Sequence, residues 1–140
     1  MVPELPVYGF DIETDTSTDG LDPRVSRILC AAVVGPGEET VIAHDDERVL
    51  LSRLDAHLAE LPTGVLATWN GAAFDLPYLV TRARLAGVPL GLRLQLDPGL
   101  RLRRRPLPGH DGAYRARWHR HRHLDAYRVF RADVGRTYGL

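Results

Sequence analysis

At 140 residues the chain has room for one domain with a substantial core but not for two, and its 44% hydrophobic content is that of an ordinary globular protein. The single cysteine, Cys30, rules out an internal disulfide and reads as a small buried thiol. No apolar run nears the roughly 18 residues of a membrane span, and Glu4 and Asp11 interrupt any leader-like stretch, so the expectation is a cytoplasmic protein with no membrane partner. The net charge of zero hides a division: residues 1–80 hold 14 acids against 4 Arg, residues 81–140 hold 14 Arg against 4 acids, and there is no Lys. An acidic half beside a basic half suits a protein that holds cations with one part and phosphates with the other.

The first predicted element is Val7-Tyr8-Gly9-Phe10-Asp11-Ile12-Glu13-Thr14. Its strand-forming, nearly continuous apolar character predicts a central strand covered on both faces. Side chains alternate along a strand, so Asp11 and Glu13 leave the same face. Two carboxylates there repel each other unless protons or cations intervene, and with no Cys or His nearby they suit Mg²⁺ or Mn²⁺ rather than Zn²⁺. The bland alternative is that these acids only open the polar turn from Thr14 to Gly20.

Arg27 to Val34 predicts a second strand, closed by Gly35-Pro36-Gly37, and Thr40 to Ala43 a short third strand at the edge, together an antiparallel meander. Asp45 or Asp46 then caps a helix whose Val49, Leu50, Leu54, His57, Leu58 and Leu61 recur at helical spacing. Val65 to Trp69 is a buried fourth strand, parallel to the first because a helix connects them. Asn70-Gly71 turns the chain into a second helix that begins near Phe74 to Leu76, tolerates Pro77 in its first turn and stops at Gly87.

Residues 88–111 lose periodicity and gain Pro, Gly and Arg, including Arg101-Leu102-Arg103-Arg104-Arg105, and read as a loop that either touches nucleic acid or is simply solvated. Ala113 to Leu124 alternates as a strand or hairpin, and a helix follows from Asp125 to Ala132, with Asp125 read as its cap. Within the hairpin, His119, His121 and His123 alternate, but with no Cys or acid adjoining them a phosphate-facing or solvated surface is favoured over zinc.

Asp75 opens the second helix. Taken alone it is an acid favoured by the helix dipole; with the first and fourth strands as neighbours, it converges on Asp11 and Glu13. Phe10-Asp11-Ile12-Glu13-Thr14, followed some sixty residues later by Asn70-Gly71-x-x-Phe74-Asp75-x-x-Tyr78-Leu79, resembles the DEDD superfamily of 3′-5′ exonucleases, and within it the proofreading domains of B-family DNA polymerases and their stand-alone relatives. Arg122-His123-Leu124-Asp125-Ala126-Tyr127 extends the likeness over nearly the whole chain.

The resemblance implies a single α/β domain over residues 1–140 with the ribonuclease H-like mixed sheet, a three-stranded antiparallel meander plus parallel strands, and flanking helices. It implies a 3′-5′ exonuclease acting on nucleic acid, DNA in the first instance, at single-stranded 3′ ends, with two divalent cations (Mg²⁺ or Mn²⁺) and release of nucleoside 5′-monophosphates. Asp11, Glu13 and Asp75 inherit the catalytic metal-ligand roles, and Thr14, Asn70 and Phe74 the binding of the terminal nucleotides. The sequence departs from the family where a fourth Asp, preceded by a water-orienting Tyr, is due: Tyr127 is followed four residues on by Arg131, and no Tyr-x-x-x-Asp occurs after it. The resemblance therefore implies a member lacking its last helix, and the alternative reading is a non-catalytic nucleic-acid-binding module with the same fold.

Overall fold

The apolar run that opens the chain forms a strand, β1 (Val7–Thr14), and the rest of the sheet grows from its two edges. The computed structural model describes residues 4–96 and 114–130. On one side β1 pairs antiparallel with β2 (Ile28–Gly35), with a bulge after Glu13, and β2 pairs antiparallel with the edge strand β3 (Glu38–Ala43). After the helix α1 (Glu47–Glu60), β4 (Val65–Thr68) returns parallel to β1 over Val7–Gly9 alone. The helix α2 (Asp75–Ala86) is followed by β5 (Leu92–Leu96), β6 (Tyr114–Trp118) and β7 (His121–Asp125), and a further helix covers 126–130. The sheet order is β3-β2-β1-β4-β7-β6-β5, with β7 parallel to β4 and the β5, β6 and β7 pairings antiparallel. This is the α/β mixed sheet that the sequence led us to expect.

Both long helices form where the sequence places them. The Asp46 carboxylate accepts the Arg48 N–H at 2.9 Å and so satisfies a donor at the open end of α1. Leu50, Leu51, Leu54 and Leu58 of α1 are fully buried, and burial of that kind stabilises by about 2 kcal/mol per side chain. Pro77 sits in the first turn of α2, where its missing N–H is harmless, and Gly87 ends the helix at φ 70. Leu76, Tyr78, Leu79 and Ala83 join the α1 leucines over Tyr8, Phe10, Ile12, Val33, Leu66 and Trp118.

Three expectations are corrected. β1 is a central strand, but it is not covered on both faces: Tyr8, Phe10 and Ile12 are buried, whereas Val7, Gly9, Asp11 and Glu13 are exposed. Val7 and Gly9 made the run look uniformly apolar although they belong to the open side. Cys30 lies on that same side, opposite Glu13, and is only half-buried. The stretch 88–111 is not wholly a loop, because Leu92–Leu96 is a strand paired with β6. The remainder of that stretch, with Arg101 to Arg105, lies outside the described residues. Among the described residues no helix is long and apolar enough to cross a membrane.

Candidate active site

The candidate site lies at the C-terminal end of β1, where β4 has stopped short. Since β4 pairs only with Val7–Gly9, the Ile12 N–H meets no strand on that side and donates instead to Asp75 Oδ2, at 3.3 Å. One backbone hydrogen bond thus fastens the start of α2 between Asp11 and Glu13. Asp75 is 4% exposed. Its pKa is pushed up to about 7, first by burial and then by the negative charge of Asp11, whose carboxylate lies within hydrogen-bonding reach of it.

The turn that delivers Asp75 is built tightly. Asn70 adopts the left-handed conformation at φ 64, which Asn tolerates better than most residues, and its carbonyl accepts from the N–H groups of Ala73 and Phe74. Gly71 N–H donates to Thr68 Oγ1 at 3.1 Å, and a Cβ at Gly71 would lie 2.2 Å from that same oxygen, so only glycine fits there. Asp125, at the end of β7, ties the turn down from the far side. Its Oδ1 accepts from Asn70 N at 2.8 Å and from Tyr127 N at 3.1 Å, and its Oδ2 accepts from Ala72 N at 3.3 Å. The expected helix cap is therefore present, and the same carboxylate also anchors the turn 53 to 55 residues away.

Asp11 and Asp75 are brought face to face. Glu13 leaves the same face of β1 as Asp11, about 7 Å further along the strand, and so stands beside the pair rather than within it. Among the described residues no three His, Cys, Asp or Glu side chains are gathered closely enough to hold a metal ion by themselves. The donor set nonetheless fits a hard divalent cation: two facing carboxylates, one desolvated, whose mutual repulsion a cation would relieve.

Of the three residues expected to bind nucleotides, Thr14 ends β1, Asn70 heads the turn held by Asp125, and Phe74 adjoins Asp75 in the chain. Thr14 Oγ1 donates to Gly20 O at 2.7 Å and also reaches the Tyr78 hydroxyl, which donates to Ser26 O at 2.7 Å. Burial pushes the Tyr78 phenol up to about 12, so it remains a donor throughout the working range. Phe74 precedes Asp75 with its ring half-buried, 5.4 Å from that of Tyr78.

His121 and His123 share one face of β7, whereas His119 stands outside the strand. His119 occupies the β6–β7 turn at φ 52 and contacts Asp55. His121 is buried between Leu58 O, at 2.7 Å, and Gly64 N, at 3.1 Å. His123 bonds Thr68 Oγ1 at 2.6 Å, and burial lowers its pKa. All three are held by hydrogen bonds within the fold.

Sequence reasoning placed Trp69 in the buried fourth strand, whereas it lies just beyond β4, is 60% exposed and meets Tyr127 and Phe130 edge-on or tilted, at 5.3 and 5.6 Å. It also missed the anchoring role of Asp125 on the turn. No local pattern announces either, because both depend on β7 lying beside β4.

Comparison with known proteins places the chain in a family. The family profile described as DNA polymerase family B, exonuclease domain, matches residues 27–140. The chain is 30% identical over 88 residues to a DNA polymerase of Archaeoglobus fulgidus, covering 63% of this chain and 11% of that protein. It is 28% identical over 102 residues to DNA polymerase 2 of Aeropyrum pernix, covering 69% and 13%. It is also 28% identical over 94 residues to the catalytic polypeptide of DNA polymerase epsilon from Eremothecium gossypii, covering 67% and 4%. The chain thus spans about an eighth or less of the length of these relatives. In fold it superposes on the family B DNA polymerase of Pyrobaculum calidifontis with a TM-score of 0.73 at 24% identity, covering 92% of this chain and 16% of that one.

Proposed function

Because this chain belongs to the family of DNA polymerase family B exonuclease domains, we propose that it is a 3′-5′ exonuclease that hydrolyses DNA from single-stranded 3′ ends and releases nucleoside 5′-monophosphates. The observation that carries the proposal is the Asp11–Asp75 pair, a self-repelling couple held together by the Ile12 N–H. Carboxylates perturbed by burial and by a specific like-charge partner gather at functional sites.

Asp11 and Asp75 would hold two Mg²⁺ or Mn²⁺ ions, with Glu13 joining from the next outward position on β1. When bound, such ions supply an activated water and positive charge against the phosphoryl and leaving oxygens. The rest falls to the chain. Ile12 N–H fixes the Asp75 carboxylate, so that its orientation is set before substrate arrives. Phe74 offers an apolar ring beside the carboxylates for the terminal base, and Asn70 and the backbone at Thr14 offer polar groups to its sugar and phosphate. Tyr78 and Asp125 act at one remove, holding the segments that carry these groups.

The test is degradation of a 5′-labelled oligonucleotide with a 3′ tail in Mn²⁺, comparing this chain with its Asp11→Ala variant. The expected result is a stepwise ladder that the variant loses. A second reading, a non-catalytic nucleic-acid-binding module, is favoured by the gathering, among the described residues, of two carboxylates rather than three. It predicts no ladder from either protein, and salt-sensitive binding that survives the Asp11 change.

A further inference from the structure

Side-chain parity can be followed across the whole sheet. Val7 pairs with Val65, Val65 with Arg122, Arg122 with Arg117, and Arg117 with Arg93. Directly paired residues share a face, so Arg93, Arg117 and Arg122 stand on the same open side as Asp11 and Glu13, and all three are exposed. They form a row across three adjacent strands, each residue directly opposite the next. Like charges in that position destabilise a sheet, and here the repulsion is repeated twice. Arg115 lies two residues along β6 from Arg117, toward the end of the sheet that carries the carboxylates, and is likewise exposed.

The row opens into a cleft. β6 and β7 pair only at Arg117↔Arg122 and Trp118↔His121 and then diverge. Between them lies a concavity of about 680 Å³ lined by Arg93, Arg115, Arg117, Arg122 and Arg128, and bounded at its far end by Ala72 and Asp125. The acid at that end is already committed, because the Asp125 oxygens accept three backbone N–H groups. Tyr114 N–H, bonded to Ala72 O at 3.1 Å, joins the cleft to the turn that leads into Asp75. From β5 to β1 the row spans four strand spacings, about 19 Å, and it reaches β1 at Val7, about 13 Å along the strand from Asp11. Just before the turn, between β4 and Ala72, is Trp69, an exposed indole set against Tyr127 and Phe130.

We propose that this arginine row and cleft are the track of the single strand, seating its phosphates on Arg93, Arg115, Arg117 and Arg122, with a base against Trp69, and delivering the 3′ end to Asp11 and Asp75. The inference rests on the exonuclease reading and adds to it the path and polarity of the substrate. A row of mutually opposed cations matches a regularly spaced polyanion, and an exposed aromatic beside it matches unpaired bases.

The test is equilibrium binding of 3′-fluorescein-labelled oligo(dT) between 50 and 300 mM NaCl. It compares the wild type, Arg117→Gln/Arg122→Gln, Arg117→Lys/Arg122→Lys, and the control Arg48→Gln/Arg53→Gln on α1, with thermal melts to check folding. Two lost phosphate contacts lower the slope of log K against log salt by about 1.4, and affinity by on the order of 20-fold at 0.1 M salt. That loss in the Gln pair, with the Lys pair near wild type and the α1 control unchanged, supports the track. Tryptophan quenching by the oligonucleotide, lost in Trp69→Phe, supports the base platform, since Trp118 is 1% exposed and silent to solvent. If the wild type binds and the Gln pair matches it in affinity and slope, the track is overturned, while the exonuclease reading stands or falls on the ladder alone. If no protein binds or cuts, both are overturned.

Discussion

Replacing Asp75 by Asn should make the cation-free protein more stable, although the residue sits at the heart of the candidate site. Asp75 is raised from 3.8 to about 7 by burial and by Asp11, a shift of some three units, and each unit corresponds to about 1.4 kcal/mol between the two protonation states. A carboxyl whose folded pKa lies above its unfolded one contributes fully below the unfolded value, and that contribution is lost as pH rises through the folded value. Ionised Asp75 therefore costs the fold up to about 4 kcal/mol above pH 7, relative to its protonated form. Asn is neutral, nearly isosteric, and can still accept from Ile12 N–H, though a bond to a neutral amide is weaker by about 1 kcal/mol. The expected gain is about 2–3 kcal/mol at pH 8 in EDTA, or roughly 6–12 °C in Tm for a domain of this size, shrinking to nothing near pH 4. Thermal melts of both proteins across pH 4–8 with EDTA, then at pH 8 with Mn²⁺, measure it. Mn²⁺ should stabilise the wild type and not the variant. A variant less stable at pH 8 in EDTA, beside a wild type whose Tm is flat from pH 5 to 8, would refute the claim that burial and Asp11 strain this carboxylate.

Other perturbations separate anchoring from chemistry. Asp125→Ala removes the acceptor for three backbone N–H groups and should cost about 3 kcal/mol in urea denaturation, with Asp125→Asn losing less because one oxygen remains; equal stability of all three proteins would contradict the anchoring role. Tyr78→Phe strands the carbonyl of Ser26 in the interior and should lower stability by about 1–2 kcal/mol, with faster proteolysis of the segment between β1 and β2. His123, whose pKa burial lowers, contributes stability that is present above its unfolded value near 6.5 and lost as pH falls through its folded value; a His123→Gln protein should show a shallower acid loss than the wild type.

What the sequence made legible was governed by neighbours in the chain. Asp-x-Glu at the end of an apolar run, Asp46 before a leucine stripe, and Pro77 just inside a helix each state their structure locally, and each is found as expected. The one-sided burial of β1 was written in the parity of Tyr8, Phe10 and Ile12 against Gly9, Asp11 and Glu13, but Val7 and Gly9 blurred it. Leu92–Leu96 also alternates, yet it gains a partner only from β6, across a long intervening segment, and Gly and Pro flank it. The grip of Asp125 on the turn and the alignment of Arg93, Arg117 and Arg122 exist only in strand register, which no single stretch encodes.

The hydrogen bond from Ile12 to Asp75 spans 63 residues, and the one from Asn70 to Asp125 spans 55. Contacts of such separation must wait for loop closure, so the carboxylates meet only after the parallel strands have docked, late on the folding route. Their mutual repulsion then acts on the native side of the barrier, hastening unfolding while leaving the rate of folding nearly untouched. A cation that quiets the pair would lengthen the lifetime of the folded chain rather than speed its birth.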